Sequence, residues 1–245
     1  MSATALAEYL ILKADQQDTI IHNSRFASGM VTAKYASARR ALRAYNANPL
    51  RPKNDLEVVK KTLRERAKDP DLRPKAREEA LRCAEAIDLF LLAENALGMR
   101  ALALKEAPRF DEIKIEGVAV SVQPDFLIQP VPTNGKQRVG ALMLRLQKAP
   151  DPNAARIATR EQRGEHRREM ARYMVAMLQL LLEQHPELGE FDRDLCFVAD
   201  ARLPERIGAA PDHAARLRAI RSACRQIVGL WDGIMPRASI LRKPE

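Results

Sequence analysis

Cysteine is scarce and poorly placed for chemistry: Cys83, Cys196 and Cys224 are widely spaced, with no Cys-x-x-Cys pair to seed a zinc or iron–sulfur site. They read as core thiols, since free cysteine packs like a small hydrophobe. Aromatic residues make up only 4 % of the 245 residues, too few to suggest recognition of a single strand by base stacking. There is no glycine-rich phosphate loop and no Gly-x-Ser-x-Gly elbow, and His22, His166, His185 and His213 lack metal-ligand spacing, which argues against nucleotide-driven and serine-hydrolase chemistry. Long apolar runs are missing too. Even residues 174–182 contain Gln179, and no segment reaches the ~20 apolar residues of a membrane helix. Residues 1–5 lack the basic region and apolar stretch of a secretory signal, so a cytoplasmic location without membrane contact is expected.

What is present is ample material for a core and an excess of positive charge. Apolar residues make up 46 % of the chain, which argues for a folded protein, and the formal net charge is +9, with arginine outnumbering lysine. Such a balance favours phosphate-rich partners through counterion release; a solvated basic surface or contact with an acidic protein is the plainer alternative.

Along the chain the apolar period is first helical. Val31, Tyr35, Ala38, Leu42 and Tyr45 recur at steps of four and three and predict one helix, ended by Pro49 and Pro52. Asp55 is placed to cap a second helix with Leu56, Val59, Leu63 and Ala67 inward, and a third is expected over 75–97 with Leu81, Ala84, Ile87 and Leu91 on its buried side. After Pro108 the period becomes that of strands, in Ile113, Ile115, Val118, Val120 and Val122, then in 126–128, and again in 139–147 beyond the Thr133-Asn134-Gly135 turn. These strands predict an antiparallel meander. Asp151 offers a cap for a long helix ending near His185, a further strand lies within 195–203, and Asp212 is placed to cap a last helix packing Leu217, Ile220, Cys224, Ile227 and Trp231. The order predicts an α+β protein with a central mixed β-sheet of about four strands flanked by helices. A helical N-terminal extension, residues 1–74, would precede a core, residues 75–245.

Within the β-rich centre, Val122-Gln123-Pro124-Asp125-Phe126-Leu127-Ile128 sets a carboxylate amid apolar strand sequence. An aspartate so flanked is either at a turn, bonded to local backbone, or in a cleft beside a cation that offsets its desolvation. A later strand ends on Lys148, and a carboxylate and a lysine at the ends of adjacent strands can share one site. Glu94 follows Ile87 by seven residues and Leu91 by three, which aims it at the buried side of its helix. The alternative is a helix that frays before Gly98 and leaves Glu94 in water.

A helix bearing Glu94, a hairpin bearing Pro124-Asp125, a strand ending at Lys148 and a helix carrying Glu169 and Tyr173 together resemble the PD-(D/E)XK nuclease superfamily, and within it the RecB and lambda-exonuclease branch. The resemblance covers roughly residues 75–203. It implies that Asp125 and Glu94 hold a divalent ion, Mg2+ or Mn2+, and that Lys148 positions or activates the attacking water. Such chemistry needs oxygen ligands for a hard cation and neutralisation of the charge that grows on a phosphodiester transition state. Glu169 and Tyr173 stand where that branch carries a glutamine and a tyrosine, Tyr173 having a core position as its alternative. The acid expected two residues before the lysine is replaced by Leu146. The resemblance therefore implies either a metal-dependent nuclease or a catalytically decayed relative, in DNA processing or antiviral defence.

Arg156, Arg160, Arg163 and Arg167 follow steps of four, three and four on the long helix, and Arg172 extends the stripe. Arginine suits phosphate through its planar donor fork. Interleaved Glu161, Glu165 and Glu169 offer the alternative of an ordinary solvated face. Further arginine faces, Arg39, Arg40 and Arg43 early and Arg218, Arg221 and Arg225 late, fit a long polyanion better than a small substrate. The expected partner is nucleic acid, DNA first, held through its backbone. The rival expectation is a non-catalytic assembly subunit that binds a protein such as a helicase or an effector nuclease.

Overall fold

The structure, a computed structural model, describes residues 1–26, 34–132, 136–147 and 160–236. Helix α1 (Ala3–Ile11) begins where the Ser2 hydroxyl accepts a hydrogen bond from the Ala5 amide, and α2 (Ala14–Arg25) follows at once. No element is predicted for these opening residues, because α2 is too polar to show a clear apolar face. Next come α3 (Ala36–Ala47), α4 (Lys53–Lys68) and α5 (Pro74–Leu97). Pro74 pre-sets the first turn of α5, and Gly98, at φ 58°, ends it in the left-handed region that favours glycine. The start of α4 differs from expectation: Pro52 holds the cap position, so Asp55 lies in the first turn and does not cap it.

The strands are β1 (Leu104–Glu106), β2 (Ile113–Ile115), β3 (Val118–Val120), β4 (Phe126–Ile128) and β5 (Arg138–Arg145). After them come α6 (Arg160–Leu182), β6 (Glu190–Phe191), β7 (Phe197–Asp200), β8 (Glu205–Ile207) and α7 (His213–Trp231). The main sheet has the order β1-β4-β5-β7-β8, with β6 beside the start of β5. β1 with β4 and β4 with β5 are antiparallel, β7 joins β5 in parallel beyond α6, and β8 is antiparallel to β7. This is an α+β fold with a mixed open sheet, and seven α-helices among the described residues.

The predicted meander is corrected at one place. β2 and β3 pair with each other as a separate hairpin, Ile113 opposite Val120. Their expected place beside β4 is taken by β1, whose sequence Leu104-Lys105-Glu106 is too short and too charged to read as a strand.

Pleating divides the interior in two. Phe126, Ile128, Leu142, Leu144 and Leu146 pack with α3, α4 and α5, while Leu127, Val139, Ala141 and Met143 pack with α1, α6 and α7. With both faces covered, every residue of β5 after Arg138 is buried, which explains its almost unbroken apolar run. Residues 1–74 contribute to both interiors, α1 and α2 to the second and α3 and α4 to the first. The three cysteines are buried, and burial pushes the thiols up, Cys196 to about 12 and Cys224 to about 11, so both stay protonated and inert. Among the described residues no helix is long and apolar enough to cross a membrane.

Candidate functional site

Pro124 delivers Asp125 to the start of β4, where its backbone is fixed on both sides: its amide donates to the Leu142 carbonyl at 2.8 Å and its carbonyl accepts from the Ala107 amide at 3.1 Å. The carboxylate is 2 % exposed. Oδ2 accepts from the Leu144 amide at 2.6 Å and from Nη1 of Arg39, whose Nη2 donates to the Leu144 carbonyl at 3.0 Å. One guanidinium on α3 therefore clamps the carboxylate and the neighbouring β5 peptide together. Removing a carboxylate from water without such donors would cost several kcal/mol, roughly. Of the two environments open to Asp125 from the sequence, the one beside a cation is found, as a buried position and not a cleft, and the cation is Arg39.

Glu94 is also buried, at 3 % exposure. Its Oε1 accepts from the Tyr45 hydroxyl at 2.7 Å and from Nε and Nη2 of Arg100 at 3.0 and 2.9 Å, while Lys53 Nζ lies 3.1 Å from Oε2. Burial pushes its pKa up, and the donors Tyr45, Lys53 and Arg100 more than reverse this, leaving it below the usual 4.5. The helical spacing from Ile87 and Leu91 thus aims Glu94 inward as predicted, and α5 stays helical to Leu97.

The two acids are neutralised separately. Arg39 and Tyr45 both belong to α3 but stand six residues apart, about 9 Å along its axis, and Asp125 and Glu94 share no hydrogen-bond partner among the described residues. Leu146, where the sequence pattern calls for the third acid, is 1 % exposed and packs in the α3–α5 interior. Glu116 lies in the β2–β3 turn, 3.2 Å from Arg225 of α7. Lys148 and Asp151 fall outside the described residues. Among the described residues no three His, Cys, Asp or Glu side chains are grouped to hold a metal. Oδ2 of Asp125 and both oxygens of Glu94, which a hard cation would need as ligands, already face guanidinium, ammonium, phenol or amide donors.

Of the arginine stripe predicted on α6, the described members do not share one environment. Arg156 lies outside the described residues, and of Arg160 only the helical backbone is described. Arg163 is exposed. Arg167 turns inward: its Nε and Nη2 donate to the two oxygens of Asp200 at 2.9 and 2.7 Å, and Nη1 donates to the Gln147 carbonyl at 3.0 Å. It is therefore a core ion pair and not a surface contact. Arg168 makes a bidentate pair with Glu205 at 2.8 and 2.6 Å, and Arg172 is held by Glu165 and Glu169. Glu169 is further bonded by Arg216 at 2.7 Å, and that guanidinium lies 4.8 Å over the ring of half-buried Tyr173. Burial raises the Glu169 pKa and the bonds from Arg216 and Arg172 more than offset it. Glu169 and Tyr173 thus form an α6–α7 contact remote in bonding from Asp125 and Glu94.

Four partners of the two acids were not predicted as such: Arg39, read only as part of an arginine face, and Tyr45, Lys53 and Arg100. Tyr45 shows only as an apolar helix position, and the cations carry no local signature, since their partners lie on other elements. A surface groove of about 1010 Å³ lies between β6 and α7 and is lined by Lys136, Arg138, Asp192, Arg193 and His213 among others, not by the two buried acids. Its charged residues are mutually paired, as in Arg138 to Asp192 at 2.8 Å. No family model, curated protein or solved structure matches the chain.

Proposed function

We propose that the protein is a nucleic-acid-binding, non-hydrolytic relative of the PD-(D/E)XK nucleases, one in which resident cations have replaced the catalytic metal. The observation that carries this reading is the Arg39 guanidinium on Asp125, with apolar Leu146 buried just past the end of the adjacent strand where the pattern calls for an acid. Further support comes from the element order: a helix, three antiparallel strands, a helix and a strand parallel to the third, formed by α5, β1, β4, β5, α6 and β7. The net charge of +9 supplies the long-range attraction for a phosphate backbone.

Fluorescence anisotropy with labelled single- and double-stranded DNA and RNA tests both halves. Binding that weakens steeply with salt, with no strand cleavage in Mg2+ or Mn2+, is the expected result. Metal-dependent cleavage that vanishes in Asp125→Asn would overturn the non-hydrolytic half. Absence of binding even at low salt would overturn the nucleic-acid half. It would favour the second reading, an assembly subunit for a protein partner, to which exposed Leu50 (88 %), Val58 (65 %) and Leu92 (84 %) on the α3–α5 side lend apolar contact surface.

A further inference from the structure

Four cations meet where α5 ends and α4 begins. Arg51 Nη2 donates to the Met99 carbonyl at 2.9 Å and Arg206 Nη1 to the Gly98 carbonyl at 3.0 Å, so both are drawn to the carbonyl end of α5 and the turn after it. Lys53 and Arg100 reach Glu94 from opposite sides. That is one carboxylate for four positive charges; Asp55, in the first turn of α4, pairs with none of them among the described residues. The ordinary explanation, neutralisation of Glu94 and of helix-end carbonyls, accounts for one or two donors on each side chain and leaves the rest unspent. Arg51 Nη1 is buried with no hydrogen-bond partner. Arg100 uses Nε and Nη2 and has Nη1 to spare. Arg206 is steadied over the Phe197 ring at 4.7 Å, so its planar fork is held out at low entropic cost.

Exposure decides what these donors can reach. Lys53 and Arg100 keep 57 and 56 % of their side chains in solvent while bonded to an acid that is itself buried. They form a cationic corner with an open outer side and a fixed inner one. We propose that Lys53, Arg100 and Arg206, on a corner that Arg51 pins from within, anchor the phosphodiester backbone of a nucleic acid between residues 98–101 and the first turn of α4. This deepens the nucleic-acid reading above and rests on it. Among the described residues the ring at this corner, Phe197, is taken up by Arg206, which favours a contact to the backbone over one to the bases.

The full chain, a labelled duplex of about 20 base pairs and inorganic phosphate test the site. Lys53→Gln with Arg206→Gln removes two of the cations and leaves Arg100 and Tyr45 on Glu94, so the fold is retained. Its expected effect is a fall of about 2 in the slope of log affinity against log salt, with at least a roughly tenfold loss of affinity near ~0.1 M salt. Arg218→Gln with Arg221→Gln removes the same charge from the exposed face of α7; an equal loss there would overturn the site in favour of diffuse attraction. Phosphate titration followed by amide shifts guards against a variant that misfolds. Shifts confined to residues 51–54 and 98–101 support the site even where the duplex fails to bind, a result that would sink the nucleic-acid reading alone. Duplex binding with no shift at those residues and no change in slope would sink the site and leave that reading standing.

Discussion

On the α6 face of the sheet Asp200 is wholly enclosed, and its partners Arg167 and Arg145 keep only 7 and 3 % of their side chains in solvent. On the α3–α5 face Glu94 and Asp125 are nearly as deep, yet Lys53, Arg100 and Arg39 keep 57, 56 and 28 %. Both faces bury carboxylates and satisfy them with cations, but only one leaves the cations within reach of a ligand. The enclosed group is a structural joint between β5, β7 and α6. Arg145 shows how tight that joint is: burial and the like charge of Arg167 bring its pKa down to about 10. A half-exposed cation, in contrast, can take a second acceptor without leaving its first.

The widest gap between the two faces is expected at Asp200. Asp200→Asn strands two guanidinium groups in the interior, and about 4 kcal/mol of unfolding free energy is the expected loss in urea titrations. Salt-dependent nucleic-acid binding by the fraction that stays folded is expected to be unchanged; a parallel loss of binding would erase the distinction between joint and site. The next largest effect is expected at Arg39. Arg39→Met leaves Asp125 alone in the interior at a cost of about 3 kcal/mol, and Arg39→Met with Asp125→Leu restores most of it, because no isolated charge remains. A double variant no more stable than the single one would show that the clamp on the Leu144 peptide, rather than the charge pair, matters.

The same contrast explains what could be read from the sequence. Glu94 was legible because its distance from Ile87 and Leu91 is a local helical quantity, and Asp125 because a carboxylate between apolar strand residues demands a special environment. β1 was not legible: three residues with two charges become a strand only because β4 lies beside them. The α6 arginines show the opposite failure. Their steps of four and three are real, but Asp200 and Glu205, which lie 33 and 37 residues further along the chain, capture Arg167 and Arg168. Spacing reports which side of a helix a residue occupies and says nothing of what has been folded against that side. The pairing of Arg39 with Asp125 was lost for the same reason, since the two lie 86 residues apart.

Glu94 gives a smaller effect with a distinctive pH signature. Its folded pKa lies below the usual 4.5, so its contribution is full above that value and is lost as the pH falls below it through the folded value. Glu94→Gln keeps the bond from Tyr45 but drops the charge-assisted ones, and about 2 kcal/mol of stability at pH 7 is the expected cost. The gap between wild type and variant should narrow as the pH falls below 4.5. A gap that held constant down to about pH 3 would mean that packing, not ionisation, is what Glu94 provides.

The smallest effect on stability is expected on the outside of α6, and it cuts the comparison most finely. Arg168 and Glu205 form a well-aligned bidentate pair, and Glu205 holds the Arg168 pKa well above its usual value. Both side chains are nevertheless about a third exposed, so solvent screens the pair and its contribution to folding is below about 1 kcal/mol. What the pair controls instead is availability. Glu205→Gln leaves the fold intact and loosens the Arg168 guanidinium, which keeps only its contact with Glu165 at 3.3 Å. Nucleic-acid affinity should then rise about twofold to threefold at low salt, with a salt slope steeper by up to about 1. An unchanged slope would place the α6 face outside the bound interface altogether, leaving the corner of Lys53, Arg100 and Arg206 to carry the contact.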